Sequence, residues 1–141
     1  MKPFDYNTCP LNELTKTIMS EVYKTYFMYG PGLFERIYEA TLAGRLRDLG
    51  IPVERQKTVH ISNAYVQDEP AFKADLVVAN RIILELKSVE KVHPVTYMQL
   101  RSYLKLLNIE VGFVINFNTN YLKNDIKRIV ANYDAIKHKI A

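Results

Sequence analysis

Residues 72–88, FKADLVVANRIILELKS, hold two runs of Val, Ile and Leu separated by the turn-forming pair Asn80-Arg81. This pattern predicts two buried strands, at about 72–78 and 82–88, joined as an antiparallel hairpin. Three charges interrupt it. Side chains alternate across a strand, so Glu85 and Lys87 share a face with Ile83, while Ile82, Leu84 and Leu86 take the other. Asp75 joins the charged face only if the connecting loop has an odd number of residues or a bulge shifts the register. A three-residue loop, Ala79-Asn80-Arg81, would set Asp75 directly opposite Glu85. Two carboxylates so placed repel unless something cationic lies between them, and either Lys87 or a metal ion could serve. A structural ion pair on a solvent-facing sheet surface accounts for the same residues equally well.

The hairpin sits in a longer alternation of elements. Leu11, Leu14, Ile18 and Val22 recur at helical spacing before Gly30-Pro31-Gly32, which predicts a helix at about 10–29. A second helix is expected at about 33–49, with Gly50 able to cap it and Pro52 preventing continuation. The alternation of Val53, Arg55, Lys57, Val59 and Ile61 with polar residues predicts a half-exposed strand, followed by a polar loop through Asp68-Glu69-Pro70. After the hairpin, His93-Pro94 opens a third helix that Asn108 ends. Residues 111–117 form an apolar run suited to a buried strand, and Leu122, Ile126, Ile129 and Val130 mark a last helix before a basic tail. The order ααβββαβα predicts a mixed α/β architecture, a sheet with helices packed on it, in which the fourth strand joins through a helical crossover.

A second buried charge is expected on the second helix. At 100° per residue, Glu35 falls within a stripe of Tyr38, Leu42, Leu46 and Leu49 that otherwise reads as core, unless the helix rotates enough to expose it. A hard divalent cation such as Mg²⁺ takes one or two carboxylates plus water and phosphate oxygens, a demand that Asp75 and Glu85 meet. Lys87 would then stand where it could hold a water nucleophile or offset charge growing on a phosphate.

Composition narrows the setting. The 141 residues fit one domain, 1–141, and with 48% hydrophobic and 24% charged residues a disordered or collagen-like chain is excluded. The net charge of +4, from 19 Lys+Arg against 15 Asp+Glu, favours a polyanionic partner only weakly over ordinary surface charge. A lone Cys9 forms no internal disulfide, and no stretch has the pattern of a signal peptide or a membrane span, so a cytoplasmic protein without a membrane partner is expected. His60, His93 and His138 are scattered rather than paired at a metal-ligand spacing. Tyr23, Tyr26 and Tyr29, at helical spacing, suit core and boundary packing better than stacking on bases.

Gly32-Leu33-Phe34-Glu35-Arg36-Ile37-Tyr38 resembles the signature of the GxxExxY protein family. Asp75 followed by Glu85-Leu86-Lys87 resembles the D…(D/E)xK core of the PD-(D/E)XK nuclease superfamily, to which that family is assigned. Residues 99–105, QLRSYLK, are similar to its QxxxYL segment, and residues 112–117, GFVINF, to its GxLINF strand. The resemblance, from about residue 11 to residue 130, implies a restriction-endonuclease-like αβββαβ core, here with an extra N-terminal helix and a C-terminal helix. It implies Mg²⁺-dependent hydrolysis of phosphodiester bonds in nucleic acid, DNA foremost, with Mn²⁺ as a substitute ion. By position Asp75 and Glu85 would be metal ligands, Lys87 the catalytic lysine, Glu35 a helix carboxylate holding the metal or its water, and Gln99 a positioning residue. The chain departs from the family at 65–68, YVQD, where Tyr and Gly are usual, and at Ala74, where the superfamily's Pro would stand. A nuclease fold that binds nucleic acid or acts as an adaptor without chemistry, and a different chemistry on the same scaffold, are the rival expectations. Nothing in the sequence specifies an oligomeric state.

Overall fold

The computed structural model describes residues 5–131. Two helices, α1 (Leu11–Tyr29) and α2 (Glu35–Asp48), lead into β1 (Val53–Ile61), β2 (Glu69–Val78) and β3 (Ile82–Lys87). Helix α3 (Pro94–Leu107), β4 (Val111–Asn116), a 3-10 turn at Leu122–Asp125 and β5 (Ile126–Val130) follow. The five strands lie in the order β1-β2-β3-β4-β5. Neighbours are antiparallel except β3 and β4, which run parallel through the crossover helix α3.

The alternation predicted for β3 separates two cores. Ile82, Leu84 and Leu86 pack with Leu14, Ile18 and Val22 of α1 and with Tyr38, Leu42 and Leu46 of α2. Ile83 packs on the opposite face with Leu100 and Leu104 of α3. The result is three layers with the sheet in the middle, and β3 is buried along all but its last residue. Gly112 on β4 lets α3 settle this closely, since a Cβ there would come within 2.9 Å of the Ile83 carbonyl and 3.1 Å of Leu100.

Two expectations are corrected. Residues 126–130 are not a helix but the edge strand β5, paired with β4 from Ile115 opposite Ile126 to Val111 opposite Val130. The Leu122, Ile126, Ile129 spacing looks helical, but three of the five residues in β5 are β-branched, and pairing satisfies the free N–H and C=O groups along β4. The basic tail beyond lies outside the described residues. The second correction concerns α2. It begins at Glu35, which is half-exposed, and Leu49 is exposed at its far end; the carboxylate on its buried face is Glu39, at 5% exposure.

Candidate active site

The hairpin turn sets the geometry. Ala79 and Asn80 both have left-handed backbone, with φ of 52° and 54°. The Arg81 N–H closes the turn on the Val78 carbonyl at 2.9 Å. Left-handed backbone costs an alanine about 1–2 kcal/mol, and the Ala79 N–H is tied to the Pro52 carbonyl at 2.8 Å, which holds it there. The three-residue loop pairs Val78 with Ile82, Val77 with Ile83 and Leu76 with Leu84. The next step of that register brings Asp75 across from Glu85.

The strands are tied there through side chains. The Asp75 N–H donates to Glu85 Oε1 at 3.3 Å, and the Leu86 N–H donates to Asp75 Oδ2 at 2.8 Å. Glu85 is 8% exposed, and burial pushes its carboxyl up to about 8, with the Asp75 charge acting in the same direction. Lys87 opposes this shift only weakly. Among the described residues no cationic side chain pairs with Asp75 or Glu85 within 4 Å, and Lys87 makes no ion pair either. The structural ion pair that would account for the three charges is therefore not formed.

Lys87 ends β3 opposite Asn116 of β4, and its carbonyl accepts the Phe117 N–H at 2.9 Å. The buried Asn116 side chain fixes the loops that leave both strands. It accepts from the Val89 and Asn118 N–H groups at 3.1 and 3.2 Å and donates to the Val89 carbonyl at 2.9 Å.

Tyr103 of α3 faces the acids. Its hydroxyl is shifted up by partial burial and by the charges of Glu85 and Asp75, and its ring stacks on Phe72 with centroids 3.7 Å apart. Gln99 is exposed one helical turn before Tyr103, on the same face of α3.

Glu35 comes to the same end of the sheet by another route. Gly32, at φ +100°, turns the chain into α2, and the Tyr38 hydroxyl holds that turn, donating to the Gly30 carbonyl at 2.6 Å and accepting the Leu33 N–H at 3.1 Å. The Ser88 hydroxyl then ties the end of β3 to the Leu33 carbonyl at 2.6 Å. A cleft of about 630 Å³ opens here, with Phe34, Glu35, Arg36, Ser88 and Asn118 among its walls. Among the described residues no three Asp, Glu, His or Cys side chains gather into a group able to hold a metal. Asp75 and Glu85 stand as a pair, and Glu35, at the first position of α2, lines the adjoining cleft.

The pair by itself suits a divalent cation. Two opposed carboxyls, one buried and neither ion-paired among the described residues, can supply the one or two oxygen ligands that Mg²⁺ takes from protein once Glu85 has released its proton. Each Asp75 oxygen accepts one hydrogen bond, which leaves lone pairs to spare.

Sequence reasoning missed two residues beside this pair. Gln56 of β1 has left-handed backbone, φ 49°, and its amide donates to Asp75 Oδ1 at 3.2 Å and to Glu39 Oε1 at 2.5 Å. Glu39 also accepts from Arg55 Nε at 3.1 Å and pairs with Arg55 Nη2 at 3.0 Å. Neither is marked in the sequence: Gln56 reads as an outward strand residue, and Glu39 is revealed only by the rotation of α2.

Comparison with protein families finds the model of the PD-(D/E)XK nuclease superfamily matching residues 12–129. No curated protein and no solved structure matches the chain.

Proposed function

The chain belongs to the PD-(D/E)XK nuclease superfamily, and from that premise we propose that it is a metal-dependent nuclease, hydrolysing phosphodiester bonds of nucleic acid, DNA foremost. Residues 1–141 are taken as one such domain, in the GxxExxY branch, acting in the cytoplasm; among the described residues no helix is long and apolar enough to cross a membrane. The observation that carries the reading is the Asp75/Glu85 pair, opposed across a hairpin and, among the described residues, without a cationic partner within 4 Å.

Asp75 and Glu85 would hold Mg²⁺, with Mn²⁺ as a substitute. When bound, the ion supplies Lewis-acid polarisation of the phosphate, a contribution of several kcal/mol. Glu85 must give up its proton to bind, because only the carboxylate is a good ligand. Lys87, which makes no ion pair among the described residues, can orient the attacking water or offset charge growing on the phosphate oxygens. Gln99 and Tyr103 present polar groups from α3 over the same face. Glu35 and Arg36 line the adjoining cleft, where Glu35 can orient water and Arg36 can meet a phosphate.

The separation of Glu35 from the acid pair favours one rival, a nuclease fold that binds nucleic acid without cutting it. A cleavage assay decides between them. Single- and double-stranded DNA and RNA are incubated with Mg²⁺ or Mn²⁺ beside Glu85→Ala and Lys87→Ala. Cleavage abolished in both variants is the expected result. Binding without cleavage in the wild type would leave the adaptor reading.

A further inference from the structure

Gln56 breaks a local rule for no local gain. Among the described residues it is one of five other than glycine with positive φ, and the remaining four, Asp68, Ala79, Asn80 and Asn108, lie in turns or at a helix end. Gln56 alone lies inside a strand. The β1/β2 pairing is regular on both sides of it, from Arg55 opposite Leu76 to Lys57 opposite Ala74, so no residue is inserted; the chain twists at one point and then resumes. That point lies across from Asp75.

The twist turns the Gln56 amide toward two carboxylates at once. One N–H serves Glu39, which is buried and anchored by Arg55, and the other serves Asp75. The second oxygen of Asp75 takes the Leu86 N–H, so the carboxylate is held at both ends, from β1 and from β3. A carboxylate with one free donor could rotate about its terminal torsion; one held at both oxygens cannot.

We propose that Gln56 is a positioning residue, which, anchored through Glu39 and Arg55, fixes the orientation of Asp75 toward Glu85. It touches neither metal nor substrate. The part concerning metal rests on the nuclease reading, whereas the clamp on Asp75 does not.

The clamp is tested first in metal-free protein. The side-chain amide signal of Gln56, assigned in nitrogen-15 NMR spectra, is expected to shift in both Glu39→Gln and Asp75→Asn. A signal unmoved by Asp75→Asn overturns the proposal.

Mn²⁺ affinity and melting temperature are then compared in Gln56→Ala and Gln56→Gly. Glycine adopts φ 49° without strain and alanine does not, so Gln56→Gly melts higher than Gln56→Ala. Both variants nevertheless lose the amide, and Mn²⁺ affinity falls about tenfold or more in each, the size typical of groups that orient metal ligands. In cleavage kcat falls and KM holds. Affinity that follows melting temperature, retained in Gln56→Gly and lost in Gln56→Ala, assigns Gln56 a structural role and overturns the proposal. A wild type that binds no Mn²⁺ overturns the metal site instead, and the amide signal still decides whether Gln56 holds Asp75.

Discussion

Asp75 donates its backbone N–H to the side chain of Glu85 at 3.3 Å, across a hairpin whose loop has three residues. The carboxyl so engaged is buried and lies beside a second carboxylate, which pushes its proton affinity up to about pH 8, and among the described residues no cation pairs with it within 4 Å. This relationship makes it costly for both carboxyls to ionise in the metal-free fold, so the pair is better suited to capturing a cation than to stabilising the fold as an ion pair.

The sign of the Glu85 effect on stability follows from linkage. Between its ordinary value of 4.5 and its folded value of about 8, the folded chain carries a proton that the unfolded chain lacks. Stability from this group is therefore fully present below pH 4.5 and is lost as pH rises through 8, at up to about 1.4 kcal/mol per unit. Glu85→Gln removes that slope. In EDTA the variant should melt at or above wild type, with an advantage larger at pH 9 than at pH 6. A variant that melts well below wild type across this range would mean that Glu85 supports the fold as an ion-pair partner.

Metal affinity should carry the same proton. Binding below pH 8 displaces it, so calorimetric Mg²⁺ affinity rises up to about tenfold per pH unit and levels off above pH 8. Proton release on binding, read by titrating in buffers of different ionisation enthalpy, should vanish in Glu85→Gln.

Lys87 separates catalysis from structure. It makes no ion pair among the described residues, so Lys87→Ala should change metal-free stability by no more than about 1 kcal/mol while abolishing cleavage. A loss of several kcal/mol in thermal melts would return Lys87 to a structural role.

Glu35 and Tyr38 differ in kind although they share a motif. Glu35 stands at the cleft and outside the acid pair, so Glu35→Gln should reduce cleavage while weakening Mn²⁺ binding less than Glu85→Gln does. Tyr38 is fully buried, and Tyr38→Phe deprives the Gly30 carbonyl of its donor and the Leu33 N–H of its acceptor. It should cost about 1–3 kcal/mol in denaturant unfolding.

Elements with a strong local period were legible in the sequence. Leu14, Ile18 and Val22 mark the buried face of α1, the alternation through 82–87 assigns Glu85 and Lys87 to one side of β3, and the loop Ala79-Asn80-Arg81 sets Asp75 opposite Glu85. Each depends on residues near one another in the chain, where side-chain direction follows directly from backbone period. What only the tertiary structure decided depends on distant partners. Residues 126–130 become a strand because β4 has an edge to pair. Glu39 rather than Glu35 is buried because packing against α1 and the sheet sets the rotation of α2. Gln56 takes left-handed backbone where its amide reaches Glu39 and Asp75, residues 17 and 19 positions away. The proton on Glu85 belongs to the same class, because burial sets it, and burial comes from elements that no stretch of a dozen residues contains.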